Sequence, residues 1–241
     1  MEDIGIYVHI PFCKKKCNYC DFISFSCIEK EDEYFKALEN EIENKYNRKV
    51  STIYFGGGTP SYPDSKYIVN VLNKIRERFI VEEDAEITIE INPGTVTREK
   101  LFAYKEAGFN RISIGLQTTE NRLLNLIGRI HNYEEFLNTY ELVKKVGFDN
   151  INVDLMLALP TQSLEELEKS VNEVIKLNPN HISLYSLILE EGTLLYKQIE
   201  NNELELCTEE LEREMYWKTK KILEENGYKH YEISNFAKLR F

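Results

Sequence analysis

The sequence predicts an α/β protein, a partial (β/α)6 barrel of parallel strands left open at one side, on three observations. Short β-rich runs alternate with amphipathic helical stretches, and strict alternation implies parallel strands joined by right-handed helical crossovers. Glu106-Ala107-Gly108-Phe109, Lys145-Val146-Gly147-Phe148 and Asn226-Gly227-Tyr228 repeat one helix ending, glycine and then an aromatic before a strand. The βα units counted below are too few to close an eight-unit barrel.

The first strand is expected over Ile4 to Pro11, and the first helix over Glu31 to Tyr46. A strand over Thr52 to Phe55 runs into a glycine cluster, and a helix follows over Ser65 to Phe79. The third unit pairs a strand over Glu86 to Ile91 with a helix over Thr97 to Ala107. The fourth strand, Arg111 to Gly115, precedes a helix over Tyr133 to Val146 that Asn132 and Glu135 open as a capping box. Ser163 and Glu166 do the same for a helix over Leu164 to Leu177, after a strand over Asn150 to Leu157. A sixth strand covers His181 to Leu187. Glycine at each repeated helix ending takes the left-handed conformation that satisfies the last carbonyls, and the aromatic packs where the chain turns back toward the sheet.

The 241 residues are enough for one sizeable core. No apolar stretch is long enough to span a membrane, and Met1 leads almost at once into a strand, leaving no room for a signal or transit peptide. Five cysteines, three of them clustered, argue against a disulfide framework and for a reducing cytoplasm. Cys27 and Cys207 are expected to be small core residues. A net charge of −11 argues against nonspecific nucleic-acid binding. Against it Lys14, Lys15 and Lys16 form a basic patch, read either as a solvated loop or as a docking point for an acidic electron donor.

Cys13, Cys17 and Cys20 follow the first strand directly in one short loop. Three thiolates make an incomplete set, because tetrahedral zinc or a fully protein-ligated iron–sulfur cluster takes four ligands. A cluster held by three cysteines keeps one iron open. The alternative is structural zinc completed by Cys27 or His9, although zinc ligands usually come as two close pairs.

Barrels of this kind place chemistry at the C-terminal ends of their strands, and polar residues fall there. Gly56-Gly57-Gly58-Thr59-Pro60 follows the second strand and lets backbone approach a ligand, although a tight βα turn explains a glycine run equally well. Glu90 ends the third strand, Gln117 the fourth, Arg129 follows in Gly128-Arg129-Ile130-His131, and Asp154 lies in the fifth. Each alone reads as a satisfied structural polar group; arrival at successive strand ends reads as a site.

The CxxxCxxC spacing with an aromatic before the last cysteine resembles the radical SAM signature. That resemblance implies a 4Fe–4S cluster on Cys13, Cys17 and Cys20, with S-adenosylmethionine (SAM) chelating the open iron and cleaved reductively to methionine and a 5′-deoxyadenosyl radical. Over the whole chain, from Tyr7-Val8-His9-Ile10-Pro11-Phe12-Cys13 to His230-Tyr231-Glu232-Ile233-Ser234-Asn235-Phe236, the strings resemble the coproporphyrinogen dehydrogenase and HemW family. The resemblance implies that Tyr7, Gly57, Gly58, Thr59 and Glu90 contact SAM. Tyr19, Gln117, Arg129 and Asp154 match positions that contact a SAM or its second copy. His9 belongs to the motif with either a structural or a catalytic role, and His131 and His181 have no comparable claim.

Two functions compete within this family: a heme chaperone that keeps the cluster and SAM, and an oxygen-independent coproporphyrinogen III oxidase (dehydrogenase) that decarboxylates two propionates. The dehydrogenase continues CxC after its third ligand, where this chain reads Cys20-Asp21-Phe22, and carries an N-terminal extension missing here. The HemW-like reading is therefore favoured. It implies heme or a porphyrinogen as partner, an electron donor such as a flavodoxin or ferredoxin, and heme-accepting proteins.

Two departures stand out. The family commonly reads DLxxGLP where this chain has Asp154-Leu155-Met156-Leu157-Ala158-Leu159-Pro160, so an extra methyl is expected to narrow the turn. The family also continues past YEISNFAK into an HNxxYW motif and a C-terminal domain, whereas this chain stops after Lys238-Leu239-Arg240-Phe241. The expected organisation is a barrel over about 1–190 with the start of an extension over 191–241, truncated before the family's last domain and leaving an unfinished strand edge.

Overall fold

The computed structural model describes residues 3–43 and 48–238. The described chain divides into two compact units, one of residues 1–16, 22–113 and 139–149, the other of residues 17–21, 114–138 and 150–241. Among the described residues no helix is long and apolar enough to cross a membrane.

In the first unit, β1 (Ile4–Ile10) pairs in parallel with β2 (Lys49–Gly57), and β2 with β3 (Ile80–Ile91). The register sets Tyr7 beside Tyr54 and His9 beside Gly56. Between the strands run α1 (Glu31–Glu41) and α2 (Ser65–Arg78). Helix α2 begins where the Asp64 carboxylate accepts from Lys66 N–H at 2.9 Å, and it buries Ile68, Val71, Leu72 and Ile75 at helical spacing. Helix α3 (Arg98–Ala107) is capped by Thr97. It ends in a Schellman motif, with Gly108 N–H on the Lys105 carbonyl and Phe109 N–H on the Tyr104 carbonyl, both at 3.0 Å. Gly147 and Phe148 repeat that pattern on Lys144 and Val143. Phe109 and Phe148 are buried, as the repeated ending predicts.

Strand β4 (Arg111–Gln117) and helix α5 (Tyr133–Val146) each contribute residues to both units. The second unit holds α4 (Asn121–Leu126), β5 (Asn150–Leu157), α6 (Leu164–Leu177) and β6 (His181–Ser186). It continues with α7 (Leu194–Glu200), α8 (Glu209–Glu225), β7 (Tyr228–Glu232) and β8 (Asn235–Lys238). Strand β5 pairs in parallel with β6, and β6 pairs antiparallel with β8, the inner arm of a terminal hairpin with β7. Both expected capping boxes are present: Ser163 and Glu166 exchange bonds of 2.9 and 3.2 Å, and Asn132 and Glu135 bonds of 2.8 and 2.9 Å.

The structure corrects several sequence expectations. Strand β3 starts at Ile80 instead of Glu86, because Lys49 and Val50 pair with Ile80 and Val81 before a register shift resumes pairing at Glu86. The acidic run Glu82-Glu83-Asp84 hides that extension from any hydrophobic pattern. Helix α1 stops at Glu41, and the remainder of its expected span from residue 44 lies outside the described residues, as does the terminal stretch after Lys238. Helices α4 and α7 are too short to show a period, and α8 buries only the narrow stripe Met215, Thr219 and Leu223. Neither Cys27 nor Cys207 is a core residue; both are half-exposed.

Candidate functional site

In the first unit, the C-terminal ends of β1 and β2 carry an aromatic and imidazole cluster that accounts for the glycine run. A Cβ at Gly56 would lie 2.9 Å from the Tyr54 ring and 3.0 Å from the Tyr7 ring. At Gly57, where φ is +117°, it would lie 2.7 Å from His9 Cε1 and Nδ1. At Gly58 it would meet Phe12 and Ile10 backbone atoms at 2.9 to 3.0 Å. The glycines thus admit the chain's own side chains and backbone. His9 Nε2 donates to the Ile23 carbonyl at 2.8 Å, which leaves Nδ1 to accept from the Tyr7 hydroxyl at 3.4 Å. The Tyr54 hydroxyl donates to Glu90 at 2.7 Å. Burial first, and then the Glu90 carboxylate, push the Tyr7 phenol above its ordinary range.

Cys13 is buried at the start of the cysteine loop, which closes on itself where Cys13 N–H bonds the Phe25 carbonyl and Phe25 N–H bonds the Pro11 carbonyl. The Cys13 sulfur lies 3.5 Å from the hydroxyl of buried Thr59. That hydroxyl oxygen also accepts from Asn92 Nδ2 at 2.9 Å, and its proton is available to a Cys13 sulfur that carries none, as the sulfur of a cluster ligand does not. The loop carrying Thr59 is held by Lys100, whose ammonium reaches the carbonyls of Ser61, Tyr62 and Pro63 at 2.8 to 3.0 Å. Burial lowers the Lys100 pKa, and the carbonyls take up the donors of its charged form. Sequence reasoning missed Asn92 and Lys100, because their roles rest on contacts more than thirty residues away in sequence.

The second unit contains Cys17, Tyr19 and Cys20. Asn18 anchors them, donating its side-chain amide to the Leu126 carbonyl at 2.8 Å and its backbone N–H to the Ile127 carbonyl at 2.9 Å. Gly128, at φ +76°, is required here, since a Cβ would lie 2.5 Å from Asn18 Oδ1. Next to it, Arg129 points Nη1 at the Cys17 sulfur at 3.6 Å and Nη2 at the Gly115 carbonyl at 2.7 Å. Burial opposes the Arg129 charge, but the electrostatic and hydrogen-bonding pull of Tyr19 and Cys17 outweighs burial and raises its pKa. Tyr19 is kept a neutral phenol, chiefly by burial, although Arg129 pulls the other way. Burial and then Arg129 push His131 down to about 3, so this imidazole is neutral at pH 7.

Gln117 ends β4 at φ +76°, a conformation uncommon for a residue with a side chain. Ala158 has φ +60° at the place where the family pattern has glycine. The extra methyl therefore imposes a left-handed backbone cost on this turn. Asp154 lies in mid-β5 and accepts from Asn152 Nδ2 at 2.7 Å. The structure thus brings Tyr7, Glu90 and the glycine run together in one unit beside Cys13 and Thr59. It brings Cys17, Tyr19 and Arg129 together in the other.

The donor set fits an iron–sulfur cluster in its chemistry. The three cysteines of the loop are free thiols, and the sulfurs of Cys13 and Cys17 each meet a hydrogen-bond donor, the setting that tunes a ligand sulfur. Among the described residues, no group of three or more His, Cys, Asp or Glu is drawn together as a single metal ion would require. Cluster ligation asks something different, one cysteine for each of three irons.

The family model of the Radical SAM superfamily matches residues 7–174. Heme chaperone HemW of Bacillus subtilis (strain 168) is 40% identical over 238 residues, which cover 96% of this chain and 63% of that protein. Heme chaperone HemW of Escherichia coli (strain K12) is 37% identical, covering 99% of this chain and 64% of that protein. Among solved structures, the coproporphyrinogen III oxidase HemN of Escherichia coli, described as a radical SAM enzyme, superposes with a TM-score of 0.88 at 29% identity. That match covers 99% of this chain and 56% of the oxidase. The chain spans somewhat under two thirds of the length of these HemW relatives.

Proposed function

This chain belongs to the radical SAM superfamily, and from that premise we propose that it is the cluster- and SAM-binding part of a HemW-like heme chaperone. Cys13, Cys17 and Cys20 would hold a 4Fe–4S cluster whose fourth iron is open to the amino and carboxylate groups of SAM. When bound, the cluster supplies the electron for reductive SAM cleavage. By the family resemblance Tyr7, Thr59 and Glu90 would contact SAM, and Tyr19, Gln117, Arg129 and Asp154 would contact a SAM or its second copy. Gly57 and Gly58 would line the same pocket by resemblance. Arg129 and Thr59 direct donors at two of the ligand sulfurs.

The observation that carries the chaperone reading over the oxidase is the 40% identity to a HemW across 96% of the chain, against 29% to the oxidase. Phe22 agrees with it: a 70% exposed phenylalanine stands where the oxidase motif has another cysteine. Exposed Lys14, Lys15 and Lys16 carry the charge to meet an acidic electron donor such as a flavodoxin or ferredoxin. Cytoplasmic location and transfer of heme to acceptor proteins belong to the same reading.

The test is anaerobic reconstitution of the chain, followed by heme and coproporphyrinogen III in separate assays. Stoichiometric heme retention without decarboxylation supports the chaperone. SAM-dependent vinyl formation would replace it with the oxidase.

A further inference from the structure

A chain of hydrogen bonds runs from the terminal hairpin through His181 to Asp154, a residue of the proposed SAM site. Asp154 Oδ1 accepts from Asn152 Nδ2 at 2.7 Å. A carboxylate oxygen only accepts, so this bond fixes the amide orientation and turns Asn152 Oδ1 to the other side. There Oδ1 meets His181 Nδ1 at 2.6 Å and the Ser183 hydroxyl at 3.2 Å. Because Oδ1 also only accepts, the His181 proton must sit on Nδ1. In the neutral ring Nε2 is then an acceptor, and the Tyr231 hydroxyl lies 2.7 Å from it. The protonation pattern thus runs in one direction, from the Tyr231 hydroxyl through His181 and Asn152 to Asp154. Asn152 and His181 are buried, whereas Tyr231 is 59% exposed.

The chain of bonds crosses three strands and is pinned by their register. Asp154 and Asn152 lie two residues apart on one face of β5, and Asn152 pairs with His181 of β6. β8 pairs with β6, setting Asn235 beside Ser183, and β7 brings Tyr231 over the imidazole with ring centroids 5.7 Å apart. The string His230-Tyr231-Glu232-Ile233-Ser234-Asn235-Phe236 thereby gains a physical reason. Glu232 accepts from Ser234 N–H at 3.1 Å and from Asn235 Nδ2 at 2.6 Å, shaping the turn that places Tyr231.

We propose that Tyr231, His181 and Asn152 are positioning residues that orient the Asp154 carboxylate for SAM, so that the surface of the terminal hairpin is coupled to the ligand site. The proposal rests on the reading of Asp154 as a SAM contact. Loss of the Tyr231 hydroxyl removes the outer anchor of the imidazole at Nε2, which loosens the His181 ring and the Asn152 amide bonded to it, so that the Asp154 carboxylate is held less firmly.

The experiment uses the full chain with its cluster reconstituted anaerobically, and measures SAM affinity together with the 15N shifts of the imidazole nitrogens. The wild type should show His181 as the Nδ1–H tautomer. Tyr231→Phe, an exposed and conservative change, should weaken SAM about two- to tenfold, the range of one neutral hydrogen bond. It should also shift the His181 Nε2 resonance, with the ring still the Nδ1–H tautomer because Asn152 Oδ1 still accepts from Nδ1. Asp154→Ala should weaken SAM further, and adding Tyr231→Phe to it should cost nothing more. In Asp154→Ala the Asn152 amide is no longer fixed, so the His181 nitrogens should move toward a tautomer mixture, a signature that residues merely packed side by side would not produce. Wild-type SAM affinity in Tyr231→Phe alongside weakened binding in Asp154→Ala overturns the relay and keeps the reading of Asp154. Wild-type affinity in Asp154→Ala overturns both.

Discussion

Gly57→Ala separates what the glycine run does for the fold from what it does for a ligand. The substitution meets two obstacles. At φ +117° an L-residue is held in a region it rarely adopts, and its Cβ would lie 2.7 Å from the His9 ring. Backbone strain of that kind costs about 1–3 kcal/mol. The imidazole is anchored on the Ile23 carbonyl at 2.8 Å, so displacing it forfeits about 1 kcal/mol more. The sum is about 2–4 kcal/mol, or a fall in Tm of roughly 4–16 °C for a chain of this size. Gly147→Ala is the control: φ is +97° but nothing lies within 4 Å of the added Cβ, so only the backbone penalty of about 1–2 kcal/mol applies. Thermal and urea unfolding of the metal-free chain should show Gly57→Ala as the more damaging, and His9→Ala should recover part of its loss in the double variant. Equal costs at the two glycines, with no recovery, would refute the packing argument.

Other perturbations follow from the same geometry. His131 binds a proton near 6.5 when unfolded but only at about 3 when folded. The unfolded state therefore holds more protons between those values, and stability should fall by about 1.4 kcal/mol per unit as pH drops through that window. His131→Gln should flatten this slope in urea midpoints measured against pH; an unchanged slope would assign it to other groups. Arg129→Met removes the charged donor on Cys17 and should lower the reconstituted cluster's midpoint potential. A hydrogen bond to a charged group, about 1.5–3 kcal/mol, converts to about 60–130 mV at 59 mV per tenfold, read by a spectroscopic redox titration. An unmoved potential would mean that Arg129 does not reach the ligand sulfur. Ser163→Ala breaks a complete capping box and should cost about 1 kcal/mol in the same unfolding assay. Cys27→Ser should leave iron and sulfide content unchanged, whereas a loss of both would make Cys27 a ligand.

Local chemistry was legible in the sequence, and long-range chemistry was not. The capping boxes at Asn132 and Ser163 and the Schellman endings at Gly108 and Gly147 depend on residues within one helical turn, and each is where the pattern places it. The parallel order of the strands follows from their alternation with helices. Lys100, Asn92 and the His181 chain escaped because a polar residue at a strand or helix end looks alike whether its partner is solvent or a carbonyl forty residues away. The glycine run was legible as a close approach, but not what approaches: Tyr7, His9 and the β1 backbone fill that space. Cys27 and Cys207 show the opposite failure, since residue type alone suggested burial that their neighbours do not provide.

The central claim is a three-cysteine cluster with one iron open to SAM. Electron paramagnetic resonance of the reduced, reconstituted chain, recorded with and without SAM, tests it most directly. The account predicts a 4Fe–4S signal whose g-values shift when SAM is added, and a sample carrying about four iron and four sulfide per chain, as the cluster's formula requires. A spectrum that SAM leaves unchanged, or a chain that binds one zinc and no sulfide, would contradict it.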